Sequence, residues 1–283
     1  MTGRRLGWAM ALGGVLLVST DALWVRWSEV GGWEASLIAS LFALPAYLIV
    51  GRLVDGTGPV AAFRVAPRPM LLIALLAATS QISFITALTR TSVANVAIMV
   101  GAVPITASVA AWFVVREKPS RHVVTSVLVV FVGILIVVGG SIGEPSLDGD
   151  LLALLAITAF STNIALWRRL PDASRFAALA ASAVIVVAVS LVFASPFGHP
   201  TRTYLALGAM GLVFNTAGRL LHTTATKHAP AAEIALFTPA ETIVAAVLGW
   251  IAFNEVPPGA TWIGGALILA AVLYGTILTT TPD

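Results

Sequence analysis

The chain has no cysteine, which excludes disulfides, thiolate metal sites and thiol chemistry. Charge is scarce as well: Asp, Glu, Lys and Arg make up 10% of 283 residues, against roughly a quarter in a typical soluble domain. Catalytic signatures are also missing. There is no His-Glu-x-x-His metal motif, no glycine-framed nucleophilic serine and no paired acidic motif of the kind that binds magnesium diphosphate. No metal ligand, cofactor or catalytic residue is therefore expected, and an enzyme is disfavoured. The only close acidic pair, Asp148 and Asp150, precedes an apolar run, where a hydrated surface or a helix N-terminus explains it. The net charge of +3 is spread between apolar runs and forms no basic patch, so no nucleic-acid partner is expected.

Apolar residues are what the chain does have: 58% of it, in runs of about twenty. That is the length needed to cross about 30 Å of hydrocarbon at 1.5 Å per helical residue. The runs predict an all-α integral membrane protein with ten transmembrane helices at 6–25, 34–51, 69–89, 94–115, 122–140, 150–168, 176–194, 204–226, 231–253 and 260–278. The first run follows Arg4 and Arg5 but is long, lacks a clear cleavage site and has an internal counterpart, so it reads as a retained helix.

Lys and Arg set the orientation. With the N-terminus inside, Arg4, Arg5, Arg52, Arg64, Arg68, Arg116, Lys118, Arg121, Arg168, Arg169, Arg175 and Lys227 are cytoplasmic, and only Arg26, Arg90 and Arg202 lie outside. Both termini are then cytoplasmic. All eight tryptophans fall near predicted span ends, as rings with one wet edge do. Fourteen Arg against two Lys hint at a GC-rich bacterial genome and hence a bacterial inner membrane.

The chain also repeats itself. Residues 7–26 align with 149–168, pairing Ser19 with Ser161, Thr20 with Thr162 and Asp21 with Asn163. Residues 86–135 align without gaps on 224–273, pairing Trp112 with Trp250, Glu117 with Glu255 and Pro119 with Pro257. The division expected is 1–140 for helices 1–5 and 141–283 for helices 6–10. Five is odd, so the second half enters the membrane the opposite way up. Inverted repeats support two pseudo-equivalent conformations around a central site, the signature of alternating access.

Residues 86–140, with Ala87, Leu88, Ala94, Pro104, Glu117 and Gly133, and residues 149–278, with Gly149, Glu241, Glu255, Gly264 and Gly265, resemble the two EamA repeats of the drug/metabolite transporter (DMT) superfamily. The resemblance implies two inverted five-helix repeats around a cavity lined mainly by helices 1, 3, 4, 6, 8 and 9, in a family whose members export amino acids or carry other polar metabolites. Two departures stand out. The second helix, which often carries an arginine in the family, reads Ala39-Ser40-Leu41, and the position matching Pro104 is Thr242, with proline at Pro239 instead.

The repeat is its own control, because a residue needed only for the scaffold should resemble its counterpart. Arg219 corresponds to Gln81, Glu241 to Val103 and Asp21 to Asn163, so in each pair one half adds a charge the scaffold does not require. Asn215, Arg219 and His222 share a face of helix 8. Arg219, Glu241, Gln81, Asn215, Asn163 and Asp21 are the candidate substrate-binding residues of the cavity. Arg219 and Glu241 come within about 5 Å in depth, counting 1.5 Å per residue. They form either a site, in which Arg219 takes an anionic group when cargo displaces Glu241, or a permanent pair locking helices 8 and 9, or Arg219 snorkels to the headgroups.

Asp21 either lines the cavity, pairs with Arg26 or is hydrated at the interface. His222 reads more as a packing residue than as a ligand, and Glu117 and Glu255 read as structural caps. Pro104 and Pro239 are candidate gating hinges, static kinks being the alternative.

The expected function is a secondary transporter moving a small polar metabolite, an amino acid or related anionic or zwitterionic solute, across the lipid bilayer in the direction of export. Proton coupling through Glu241 is an option and the oligomeric state is open. The alternatives are a multidrug or cation exporter, a non-transport membrane protein and an intramembrane enzyme.

Overall fold

The computed structural model describes residues 3–56, 58–116, 121–140, 146–167, 169–170, 172–225, 227–228, 237–254 and 258–280. Glu117, Lys118, Pro119, Arg168, Glu255 and Pro257 lie outside the described residues. So do the side chains of Pro104, Pro239, Glu241 and Thr242, although their backbones are helical.

The described residues form helices joined by turns and short loops, with no strand among them. In chain order the helices are α1 (Gly3–Val18), α2 (Asp21–Ser28), α3 (Gly32–Asp55), α4 (Pro59–Arg64), α5 (Pro67–Arg90), α6 (Val93–Gly101), α7 (Val103–Val115), α8 (Arg121–Gly139) and α9 (Leu147–Trp167). They continue with α10 (Arg175–Ser190), α11 (Thr201–Ala225), α12 (Thr238–Phe253) and α13 (Gly259–Thr280). Each of the ten predicted segments contains helix, and α4 is an additional short turn.

Among the described residues, five helices are long and apolar enough to cross a membrane: Arg5–Ser28 (α1 with α2), α3, α5, α9 and α11. The pair α6 and α7, bent by 50°, makes a sixth if it is one span. Val124–Gly139, Arg175–Ser190 and Gly259–Ala271 are apolar but shorter. Large side chains such as Phe113, Leu128, Ile251 and Trp262 stand exposed on the outside of the bundle. Water would penalise such a surface, whereas lipid solvates it. The chain is a multi-pass membrane protein.

Local chemistry sets the helix ends. Ser92 caps α6 by accepting from the Asn95 amide at 3.1 Å, and Ser174 caps α10 by accepting from Ala177 at 3.0 Å. Arg116 and Asn254, which occupy equivalent repeat positions, end α7 and α12 in the left-handed region at φ 61° and 51°. Pro104 and Pro239 both fall in the first turn of a helical segment, of α7 and α12. There the missing N–H removes no helical hydrogen bond, so neither proline interrupts a described helix from within.

Packing follows the repeat. α3 packs on α10 and α8 on α13, each pair joining a helix to its own counterpart, and α6 packs on α12, the counterpart of the adjoining α7. α1 packs on α11, and α9 packs on α5, the equivalent pairing in the other half. Contacts between counterparts arise where elements straddle a two-fold axis, so the α3–α10 and α8–α13 pairs mark the pseudo-dyad. Small residues permit the close crossings. A Cβ built on Gly14 of α1 would lie 2.7 Å from the Gly218 carbonyl of α11, and one on Gly218 would lie 2.9 Å from that of Gly14.

Loops expected on one side of the membrane gather at one end of the bundle. Arg90 pairs with Asp148, Arg202 with Glu29, and Arg26 donates to the Thr91 carbonyl at 2.7 Å. Two expectations need correction. Trp167 is 3% exposed and lies beneath the Arg175 guanidinium at 4.6 Å, so it belongs to the core and not to an interfacial belt. Asp148 and Asp150 do lie in the first turn of α9, but Asp150 is buried rather than hydrated, its carboxylate accepting from Thr91 Oγ1 at 2.6 Å and Asn95 Nδ2 at 3.1 Å; only Asp148 is exposed.

Candidate functional site

A cavity lies at the centre of the bundle, roomy enough for the centre of a water molecule to range over about 100 Å³. Its wall reproduces the repeat. From α1, α2 and α9 come Gly14 with Ala156, Val15 with Ile157, Val18 with Phe160 and Asp21 with Asn163. From α5 and α11 come Ala77 with Asn215, Gln81 with Arg219, Phe84 with His222 and Ile85 with Thr223. Each of these eight pairs joins equivalent positions of the two halves, so the cavity sits on the pseudo-dyad.

The two halves share its shape but not its polarity. α11 presents Asn215, Arg219, His222 and Thr223 where α5 presents Ala77, Gln81, Phe84 and Ile85. Asp21 faces Asn163, an amide of nearly the same shape. The charges therefore concentrate along the α2–α11 contact.

Arg219 NH1 donates to Gln81 Oε1 at 3.0 Å, and Gln81 Nε2 donates to Ser40 Oγ at 2.9 Å. Ser40 comes from the stretch of α3 in which no arginine was found. The chain from Arg219 through Gln81 to Ser40 fixes both ends of the glutamine amide and holds the guanidinium at the cavity wall, within electrostatic reach of Asp21 but not in a direct salt bridge with it. The predicted pairing of Arg219 with Glu241 falls on a side chain outside the described residues.

Asn215 Nδ2 donates to Asp21 Oδ2 at 2.6 Å. Asp21 is 1% exposed, and its Oδ1 has no hydrogen-bond partner among the described residues. Arg26, one of the alternatives for Asp21, instead donates to the Thr91 carbonyl. On the opposite wall Asn163 Nδ2 donates to the Ile73 carbonyl at 2.8 Å, a fully scaffolding bond.

Backbone irregularity tracks the charged residues. Ser19 and Thr20 bond back to the carbonyls of Val15 and Leu17, at 2.8 and 2.7 Å, in the break between α1 and α2 immediately before Asp21. Such back-bonding competes with the helix ladder. In α11, residues Met210–Asn215 form a π turn that ends on Asn215. π turns widen the helix and occur disproportionately at functional sites. The equivalent stretches of α9 and α5 are continuous α-helix.

Five of the six candidate residues, Arg219, Gln81, Asn215, Asn163 and Asp21, line this one cavity. His222, expected to be a packing residue, lines it too, with its ring 5.8 Å from that of Phe160. Thr223 was not anticipated. Its signal lay in the repeat, since it replaces the apolar Ile85.

The sequence profile of the EamA-like transporter family matches residues 5–139 and 147–276. None of the curated proteins matches the chain. Among solved structures, one protein known from a crystal structure superposes with a TM-score of 0.70 at 17% identity, covering 97% of this chain and 99% of its own. That likeness concerns the fold alone.

Proposed function

The chain belongs to the EamA-like transporter family of the DMT superfamily, and from that premise we propose that it exports a small polar metabolite with an anionic or zwitterionic head, an amino acid or close relative. The route is alternating access across the bacterial inner membrane. Ten crossings are formed by two inverted repeats, 1–140 and 141–283, with both termini in the cytoplasm. The shorter helices α8, α10, α12 and α13 complete the count in this reading. Pro104 and Pro239, each in the first turn of one of two equivalent helices, serve as hinges.

The observation that carries the proposal is Arg219, a guanidinium on the wall of a membrane-depth cavity, hydrogen-bonded to a neutral amide. A cation at that depth is costly unless it has work to do, and a guanidinium matches a carboxylate in a two-pronged fit. It also disfavours the cation-exporter alternative, since like charge repels. A structural lock would call for a counterpart in the other half, where the residue is Gln81. Position 241 is equivalent to Val103, a lining residue, and Glu241 in this reading competes with the cargo anion for Arg219 and carries any coupled proton.

A metabolite panel in reconstituted vesicles tests the reading. Saturable counterflow of a carboxylate-bearing solute by the wild type, lost in Arg219→Gln, is the expected result. Normal transport by a correctly inserted Arg219→Gln protein overturns the binding role. A rate independent of pH overturns the proton role of Glu241.

A further inference from the structure

Two opposite charges share the cavity, and they do not form an ion pair. Arg219 is taken up by the Gln81 amide oxygen, and Asp21 Oδ2 by the Asn215 amide nitrogen. Each charge is hydrogen-bonded to a neutral group, within electrostatic reach of the other. The remaining oxygen of Asp21, Oδ1, is buried in the cavity wall with no hydrogen-bond partner among the described residues. An orphaned carboxylate oxygen at this depth costs free energy, a cost that any donor brought into reach of it would relieve.

The repeat supplies the control. At the equivalent place Asn163 has the same shape and uses its amide to tie α9 to α5 through the Ile73 carbonyl. Asp21 has no proton to donate in that way when ionised, so the scaffolding task of Asn163 is not the one it performs. The break at Ser19–Thr20 and the π turn ending at Asn215 flank Asp21 and its partner and have no equivalents in the other half. Irregular backbone at membrane depth is tolerated where it borders protein or a cavity; here it flanks Asp21 and Asn215, and it recurs at the α6–α7 bend beside Val100 and Val103.

We propose that Asp21 Oδ1 receives the ammonium group of a zwitterionic cargo whose carboxylate lies on Arg219. The inference rests on the reading of Arg219 as the anion-binding residue and adds the requirement for a positive group on the same molecule. Asn215, which anchors Asp21, and Arg219 are four residues apart on α11, about 6 Å along the helix axis. A molecule with ammonium and carboxylate a few bonds apart, plus one hydrogen bond at each end, has a reach of that order. Phe84 and Phe160 supply aromatic lining, which tolerates an ammonium and repels a second anion. The cargo is therefore a zwitterion of the amino-acid kind and not a simple organic anion.

The test pairs zwitterions with their des-amino carboxylates: leucine with 4-methylpentanoate, phenylalanine with 3-phenylpropionate, alanine with propionate. Binding to purified wild type, Asp21→Asn, Asp21→Ser and Arg219→Gln is measured with and without sodium, and melting curves establish that each variant is folded. The wild type is expected to prefer at least one zwitterion over its des-amino partner by tenfold or more. Asp21→Asn and Asp21→Ser lose that preference by weakening the zwitterion alone, while Arg219→Gln weakens both members of the pair.

The proposal is overturned if the folded Asp21 variants keep the preference, or weaken both members equally. It is also overturned if the wild type binds only des-amino acids, or if zwitterion binding requires sodium and the Asp21 variants abolish that requirement. In the last case the site belongs to an alkali cation. If neither member of any pair binds the wild type, or Arg219→Gln binds normally, the underlying reading of Arg219 fails as well.

Discussion

Arg219 and Gln81 occupy the same position in the two halves of the chain and hydrogen-bond to each other at 3.0 Å. Equivalent residues can touch only where the halves meet, so this bond lies at the pseudo-two-fold axis. An alternating-access cycle that exchanges the conformations of the two halves preserves contacts at the axis while remaking those away from it. A ligand anchored on Arg219 therefore sits at the pivot.

Replacing Gln81 by leucine removes the acceptor and leaves the guanidinium without its amide partner. Hydrogen bonds to charged groups are worth about 1.5–3 kcal/mol, so the half-saturating cargo concentration should rise by roughly tenfold or more. Gln81→Glu instead gives Arg219 a permanent counter-ion and should block the site to anions. Counterflow in vesicles measures both, and a Gln81→Leu protein with wild-type saturation would show that the bond does not position Arg219.

The α1–α11 crossing tolerates no side chain at Gly14. A methyl there would meet the Gly218 carbonyl at 2.7 Å and the His222 amide nitrogen at 2.9 Å. Gly14→Ala should destabilise the protein by about 1–3 kcal/mol, the usual cost of overpacking, and disturb the cavity wall beside His222. Gly139→Ala, with nothing within 4 Å of the added methyl, is the matched control and should melt as the wild type does. Equal melting temperatures for the two variants would contradict the packing.

Much of the site was legible because the chain contains two copies of one design. Asp21, Arg219 and Gln81 stood out by comparison with their own counterparts, with no motif to mark them. The buried network of Asp150, Thr91, Asn95 and Thr261 was not legible. Thr261 donates to Asn95 Oδ1 from 166 residues away, and an acid in a first helical turn looks the same from sequence whether hydrated or buried. The π turn was equally silent, as Met210–Asn215 carries apolar residues that suit an ordinary helix. Trp167 misled because position near a span end does not reveal that Arg175 covers the ring.

That network predicts a large penalty for a change at Asp150. Asp150→Ala leaves Thr91 Oγ1 and Asn95 Nδ2 without their shared acceptor in a buried setting, at a cost of about 2–4 kcal/mol. Thr91→Val, which removes one donor and keeps the shape, should cost about 1 kcal/mol. Asp148→Ala, at an exposed ion pair with Arg90, should change stability by less than 1 kcal/mol. Thermal unfolding in detergent ranks the three, and an Asp150→Ala protein no less stable than Asp148→Ala would remove the network from the account.

The orientation argued from lysine and arginine can be tested with reagents that the native chain leaves silent. With no cysteine present, one introduced thiol reports alone. Phe197, exposed in the stretch between α10 and α11, falls on the outer side of the proposed topology, and Val65, exposed between α4 and α5, falls on the cytoplasmic side. A membrane-impermeant maleimide should label Phe197→Cys in intact cells and Val65→Cys only after the membrane is opened. The reverse pattern would place the N-terminus outside and overturn the proposed topology. Labelling of both positions in intact cells would be incompatible with any topology in which an odd number of crossings separates them.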